Sequence, residues 1–175
     1  MSILSKKICL VGDFGVGKTS LIRRFVERQF SDQYLSTVGV KISRKTIDLP
    51  GETPQETVKL QLMIWDLEGH TKFKSIAPSY LQGASGVIIV ADVTRLETVQ
   101  RVPEHIDLFL SVNPKGSVVI AAFNKSDLLA QEEIAGMKDI ERIEQVLATY
   151  QTSAKTGLNV DEIFYKLAYS IVKSP

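Results

Sequence analysis

Two patterns of apolar residues alternate along the chain. Ile8-Cys9-Leu10-Val11, Gly86 to Asp92 and Ser117 to Phe123 are short, nearly continuous apolar runs, the pattern of strands covered on both faces of a parallel sheet. Between Thr57 and Trp65, Leu60, Leu62 and Ile64 alternate with Lys59, Gln61 and Met63, which predicts a strand with one buried face. Val40 to Leu49 predicts its neighbour, and Pro50 to Glu56, with two prolines and a glycine, predicts a hairpin connection longer than two residues, either a binding surface or, more simply, a tolerated surface insertion. Gln145 to Thr149 predicts a sixth strand. Helical spacing joins Leu21, Ile22 and Phe25, runs through Leu96 to Val112 with Pro103 as a kink or restart, and returns briefly at Lys138 to Glu144. The last helix opens on Asn159 as N-cap with Glu162 three residues on, and Val160, Ile163, Phe164, Leu167 and Ile171 form a stripe expected to pack on the sheet. Strands and helices in alternation predict an open α/β fold, a mostly parallel six-stranded sheet with one antiparallel edge strand and helices on both faces. Ligands of such sheets bind at the carboxyl ends of the strands.

The first of those ends carries the chemistry. Gly12-Asp13-Phe14-Gly15-Val16-Gly17-Lys18-Thr19 has the spacing G-x-x-x-x-G-K-[ST], and it stands after a strand and before a helix, the context a phosphate-binding loop requires. Glycines let the backbone approach an anion so that consecutive N–H groups face inward, and the following helix adds its positive end. Asp13, Gly15, Val16, Gly17, Lys18, Thr19 and Ser20 are the residues expected around the phosphates. Lys18 brings a full charge to the terminal ones, and the Thr19 hydroxyl is placed to reach Mg²⁺.

Three further motifs stand at strand ends in order. Trp65-Asp66-Leu67-Glu68-Gly69 closes the third strand; Asp66 is expected beside Mg²⁺, directly or through water, and the Gly69 N–H faces the terminal phosphate. Asn124-Lys125-Ser126-Asp127 and Ser153-Ala154-Lys155 follow later strands. Guanine offers N1–H and an exocyclic amine that one carboxylate accepts together, a pair adenine lacks. Asp127 is therefore the residue expected to select the base, with Asn124 as buttress, the Lys125 stem as cover and the Ala154 N–H as donor to O6.

Composition narrows the classes. Lys and Arg total 21 against 20 Asp and Glu, so no general field favours nucleic acid. The length suits one domain over 1–175. Cys9 is the sole cysteine; it is expected to be a buried, inert thiol in a reducing, cytoplasmic setting. The start has no secretory pattern, residue 2 is Ser, and Val172-Lys173-Ser174-Pro175 offers no prenylation site. The expectation is a monomer without a lipid anchor in this chain, reaching membranes only through a partner or a missing tail.

Together the four motifs give the chain a close resemblance to the Ras-superfamily small GTPases, Rab-like branch, over about Lys6 to Lys173. That resemblance implies a P-loop NTPase switch that binds GTP or GDP with Mg²⁺ and hydrolyses GTP. It implies that Thr37 binds Mg²⁺ and the γ-phosphate, that Phe30 stacks on guanine, and that Tyr34 closes over the phosphates. Lys18, Thr37, Gly69 and His70 are the positions it assigns to catalysis. Ser31 to Lys41 and Asp66 to Tyr80 correspond to the switch loops that meet effectors and regulators, ordered by GTP and relaxed after hydrolysis.

Three positions depart from the family. Phe14 replaces a small residue above the γ-phosphate, where bulk obstructs an arginine finger, a contribution of about 10³ to 10⁵ in rate. His70 replaces the Gln that orients the attacking water, and Glu68 replaces a small residue beside Gly69, adding a negative charge expected near the phosphates. Phe14 and His70 predict slow turnover with poor response to a finger-type activator; in the milder alternative His70 still positions water and Phe14 rotates aside. A hydrolysis-deficient GTP-loaded scaffold, or a GTPase domain cut from a longer protein, are the competing readings, and Asp127 argues against an ATP-dependent enzyme.

Overall fold

Backbone pairing carries the strands past the limits of their apolar runs, because a ladder needs N–H and C=O groups whatever the side chains are. In the computed structural model, which describes residues 2–33, 36–71, 74–114, 117–129 and 134–174, strand β1 spans Leu4–Gly12, β2 Val40–Pro50, β3 Thr57–Leu67, β4 Gly86–Asp92, β5 Val118–Asn124 and β6 Val146–Gln151. They form one six-stranded sheet in the order β2-β3-β1-β4-β5-β6. β2 pairs antiparallel to β3, and every other pairing is parallel. The predicted fold class is the one observed. All seven residues of β4 and all seven of β5 are buried, as continuous apolar runs require. β2, at the edge, is mostly open to solvent and carries Lys41, Arg44 and Lys45, charges that discourage pairing with another chain.

Helices α1 (Lys18–Glu27), α2 (Leu96–Gln100), α3 (Val102–Val112), α4 (Met137–Glu141) and α5 (Val160–Lys173) cover the two faces. α1 and α5 bury Leu21, Phe25, Phe164 and Leu167 against Leu10, Leu62 and Ile120. Phe25 and Phe164 stack with centroids 4.2 Å apart, and truncating either to Ala typically costs about 3–5 kcal/mol. On the other face α3 and its neighbours bury Ile106, Phe109 and Ile140 with Val11, Ile89 and Phe123. The α5 stripe packs on the sheet as predicted.

Two local expectations are corrected. The predicted helix over 96–112 is two helices parted at Arg101 rather than at Pro103. Pro103 lies in the first turn of α3, where its missing N–H has no intrahelical partner to lose. Asn159 occupies the N-cap position but makes no side-chain cap; it sits left-handed at φ 54°, and its Nδ2 donates to the Gln151 carbonyl at 2.9 Å. The short α4 begins and ends a little earlier than its apolar spacing indicated. Among the described residues no helix is long and apolar enough to cross a membrane.

Candidate functional site

At the carboxyl ends of the parallel strands a cavity of about 330 Å³ is walled by Phe14, Gly15, Gly17, Lys18, Thr19 and Ser20 from the β1–α1 loop, Phe30 and Thr37 from the segment after α1, Gly69, and then Asn124, Lys125, Asp127, Ala154 and Lys155. Four motifs scattered over the sequence thus share one space. Asp13, Val16 and Ser153 are buried and are not among the residues lining it; neither are Asp66 and His70. Tyr34 lies outside the described residues, as do Leu35 in the first switch segment and Lys72 and Phe73 in the second.

The loop turns on Gly17, left-handed at φ 103° as the N-cap of α1. A Cβ there would stand 2.3 Å from Asn124 Nδ2, so glycine is required both for the turn and for the approach of the Asn124 side chain. Lys18 is held beneath the loop, its Nζ donating to the carbonyls of Asp13 at 3.1 Å and Gly12 at 3.4 Å. Burial lowers its pKa to about 8, with Asp66 and Asp13 pulling the other way.

Beside it three oxygens converge. Thr19 Oγ1 donates to Asp66 Oδ2 at 2.5 Å and lies 2.7 Å from Thr37 Oγ1, which is itself 3.2 Å from Asp66 Oδ2. Asp66 is 1% exposed, and its other oxygen, Oδ1, is the one buried side-chain polar atom without a hydrogen-bond partner among the described residues. Burial pushes the Asp66 carboxyl above its usual range despite Thr19, Lys18 and Thr37. A hard, all-oxygen donor set with an orphaned carboxylate oxygen fits Mg²⁺, which takes one or two carboxylates and fills its octahedron with phosphates and water. That also accounts for the lack, among the described residues, of any cluster of three His, Cys, Asp or Glu able to hold a metal.

The base end is knit from within. Asn124 Nδ2 donates to the Val16 carbonyl at 3.0 Å, while its Oδ1 accepts from Thr152 Oγ1 at 3.1 Å. Lys125 is left-handed at φ 64°; its Nζ donates to the Gly15 carbonyl at 2.8 Å and pairs with Asp92 Oδ2 at 3.0 Å. Asp127 Oδ1 accepts from Ser153 Oγ at 2.7 Å, and Ser153 Oγ accepts the Thr156 N–H at 3.0 Å. Ser153 therefore steers the carboxylate from behind.

At the other end, Phe14 is 42% exposed and stands on the cavity wall with Gly69. A Cβ on Gly69 would lie 2.5 Å from Phe14 Cα; only glycine admits this contact. The Phe14 N–H donates to the His70 carbonyl at 2.9 Å, and the His70 N–H to the Gly12 carbonyl at 3.1 Å. Glu68, expected near the phosphates, instead turns toward the first switch segment. Its Oε2 accepts the Gly39 N–H at 3.0 Å and pairs with Lys74 at 2.7 Å, and its own N–H donates to the Gly39 carbonyl at 2.8 Å. Lys74 and the Gly39 N–H hold its carboxyl below the usual range.

Five residues were not read from the sequence as part of the site: Thr152, Asp92, Arg95, Arg101 and His105. Asp92 ends an apolar strand, the signal that marked Asp66, and gathers Thr94, Arg95 and Lys125. Arg95 Nη2 donates to the Phe14 carbonyl at 2.6 Å. Asp13 sends its carboxylate away from the cavity to Arg101 and His105.

A parallel sheet whose first strand feeds a helix through such a loop is the architecture of the P-loop nucleoside triphosphatases. A model of the Ras family matches residues 7–173. The chain is 34% identical over 167 residues to the Ras-related protein Rab-13 of Canis lupus familiaris, covering 95% of this chain and 79% of that one. It is 37% identical over 171 residues to the Ras-related protein Rab-1C of Dictyostelium discoideum, with 96% and 81% covered, and 33% identical over 168 residues to the GTP-binding protein ypt4 of Schizosaccharomyces pombe, with 95% and 71% covered. The protein belongs to the Ras family and is a Rab-like small GTPase. As a member it is a switch that binds GTP and GDP with Mg²⁺, hydrolyses GTP, and has effector and regulator partners.

Proposed function

We propose that the protein is a slow GTPase switch that works as one G domain over 1–175 and meets its effectors and regulators through Ser31 to Lys41 and Asp66 to Tyr80. The single observation that carries the reading is the shared cavity: the phosphate loop, Thr19 and Thr37 of the oxygen cluster, and the residues proposed for the base open onto the same volume. In it the amides of Gly15, Val16, Gly17, Lys18, Thr19 and Ser20, with Asp13 at the entry of the loop, cradle the phosphates. Phe30 stacks on the guanine, Asp127 accepts its two N–H groups, and Ala154 and Lys155 close the O6 side over Ser153. Thr19, Thr37 and Asp66 hold Mg²⁺, which supplies neutralisation of the charge that develops between the β- and γ-phosphates. Tyr34 covers the phosphates from outside.

Turnover is slow because Phe14 occupies the space an inserted arginine needs and because His70, with donor and acceptor on separate ring nitrogens, replaces a Gln whose single amide offers both side by side. Lys18, Thr37 and the Gly69 N–H stabilise the γ-phosphate while His70 stands beside the attacking water. The test is phosphate release from the natural protein against Phe14→Gly and His70→Gln, with and without a finger-type activating protein. Phe14→Gly is expected to restore most of the response to the finger, and rates unmoved by either replacement would refute the obstruction. A second reading, a hydrolysis-deficient GTP-loaded scaffold, is favoured by the docking of His70 on the phosphate loop through two main-chain bonds. Single-turnover assays separate the two, since a scaffold shows no Mg²⁺-dependent loss of GTP over hours.

A further inference from the structure

The chain has two histidines, and the fold packs one against the other. The rings of His70, at the end of the third strand's motif, and His105, on α3, have centroids 5.7 Å apart and planes at 73°, an edge-to-face arrangement that aromatic rings favour.

His105 is held independently of that contact. It is 3% exposed, and its Nε2 lies 2.9 Å from Asp13 Oδ1. A carboxylate can only accept, so Nε2 carries the proton. Asp13 Oδ2 accepts in turn from Arg101 Nε at 3.0 Å, and Arg101 also reaches Glu104 at 3.7 Å. Burial opposes the charge on Asp13, but His105 and Arg101 overcome it and keep its carboxyl below the usual range.

The main chain closes the circuit. Both bonds between His70 and the phosphate loop, to the Gly12 carbonyl and from the Phe14 N–H, bracket Asp13. Residue 13 is thus joined to His70 through the backbone and to His105 through its side chain, while the two imidazoles touch. A side chain that must meet a water molecule gains rate when its rotamer is already chosen, since the ordering entropy is spent before the reaction begins.

We propose that His105 is a positioning residue for GTP hydrolysis: held by Asp13, its ring fixes the orientation of the His70 imidazole. The inference rests on the reading of His70 as the neighbour of the attacking water. It does not make His105 touch the substrate.

The test is a double-mutant cycle of single-turnover GTP hydrolysis at saturating Mg²⁺, with GTP affinity measured alongside. His105→Gln keeps an N–H for Asp13 and removes the ring. It is expected to slow the chemical step about tenfold while GTP affinity stays within about twofold, and to have no further effect once His70 is Ala. If His70→Ala slows hydrolysis but His105→Gln does not, the positioning role is wrong and the reading of His70 stands. If His70→Ala changes nothing, the reading of His70 fails and takes the inference with it. Equal slowing by His105→Gln in both backgrounds would mark a general structural effect and overturn the proposal. A measurement on the natural protein covers the case of a variant that does not fold. With a non-hydrolysable GTP analogue and Mg²⁺ bound, the two imidazoles should show a ring-to-ring nuclear Overhauser effect; its absence overturns the proposal.

Discussion

The two ends of the cavity are built differently. At the end proposed for the base, three side chains already have protein partners: Asn124 is held by Val16 and Thr152, Lys125 by Gly15 and Asp92, and Asp127 by Ser153. At the γ-phosphate end Asp66 keeps a buried oxygen with no partner, Thr19 and Thr37 lean on its other oxygen, and Phe14 faces outward. A group that must discriminate is worth holding still, because pre-ordering removes an entropic cost from binding. A group that must report whether a phosphate is present has to be completed by the ligand, so that ligand and conformation are linked.

The sharpest way to break this contrast is at the base end. Asp127→Ala removes the acceptor for two charge-assisted bonds, each contributing about 1.5–3 kcal/mol. Competition binding should show GDP affinity falling on the order of 100-fold or more and the preference over ADP disappearing. Retained preference would remove Asp127 from base selection. Next in size is removal of the metal. Chelating Mg²⁺ should speed GDP release by on the order of tenfold or more, since the largest local positive charge is lost, and Asp66→Asn should abolish most of the response to chelator. Unchanged release with Mg²⁺ absent would deny that Thr19, Thr37 and Asp66 hold it.

Asp92 offers a smaller and pH-dependent test. Burial opposes its charge, but Thr94 and Lys125 hold its carboxyl below the usual range. A depressed carboxylate contributes stability that is present above the unfolded value near 3.9 and lost as pH falls through the folded one. Asp92→Asn should therefore lose about 1–2 kcal/mol at pH 7 and show a flatter acid limb in urea titrations below about pH 4. An acid limb identical to that of the natural protein would mean that Asp92 does not secure Lys125.

Cys9 is the smallest test and a control between the two ends, in the middle of the strand that feeds the loop. Burial pushes its thiol up to about 12 against the favourable charge of Lys7. The folded state keeps a proton that the unfolded chain releases above about 8.5, so stability contributed by the neutral thiol falls as pH rises through that window toward 12. Cys9→Ala should show less alkaline loss of stability than the natural protein, and a thiol reagent should label Cys9 only after unfolding.

Most of the fold could be read before any coordinates, because continuous apolar runs in β4 and β5 and the alternation in β3 report burial directly. The strand ends were less legible. Ser5, Lys6 and Lys7 pair with Gln61, Leu62 and Met63 through backbone groups that hydrophobicity does not encode. Asn159 carries the composition of a cap without its geometry, since its backbone is left-handed rather than extended and its Nδ2 is turned to the Gln151 carbonyl. Within the site, the motif residues were visible because their spacing along the chain is dictated by the nucleotide. Asp92, Arg101 and His105 were not, because each acts on a residue far away in sequence. The i, i+4 spacing of Arg101, at the N-cap of α3, and His105 within it was the one signal available.

What the amino-acid order determined by itself was the local chemistry: a glycine-led loop between a strand and a helix, a carboxylate after an apolar strand, and an Asn-Lys-Ser-Asp turn after another. Each is set by neighbours within a few residues, where backbone conformation and side-chain type suffice. Tertiary structure alone decided which way the carboxylates turn. It sent Asp13 toward Arg101 and His105, Glu68 toward Gly39 and Lys74, and Asp66 toward two threonines, because partners for a buried charge are supplied by whatever packing brings within about 3 Å.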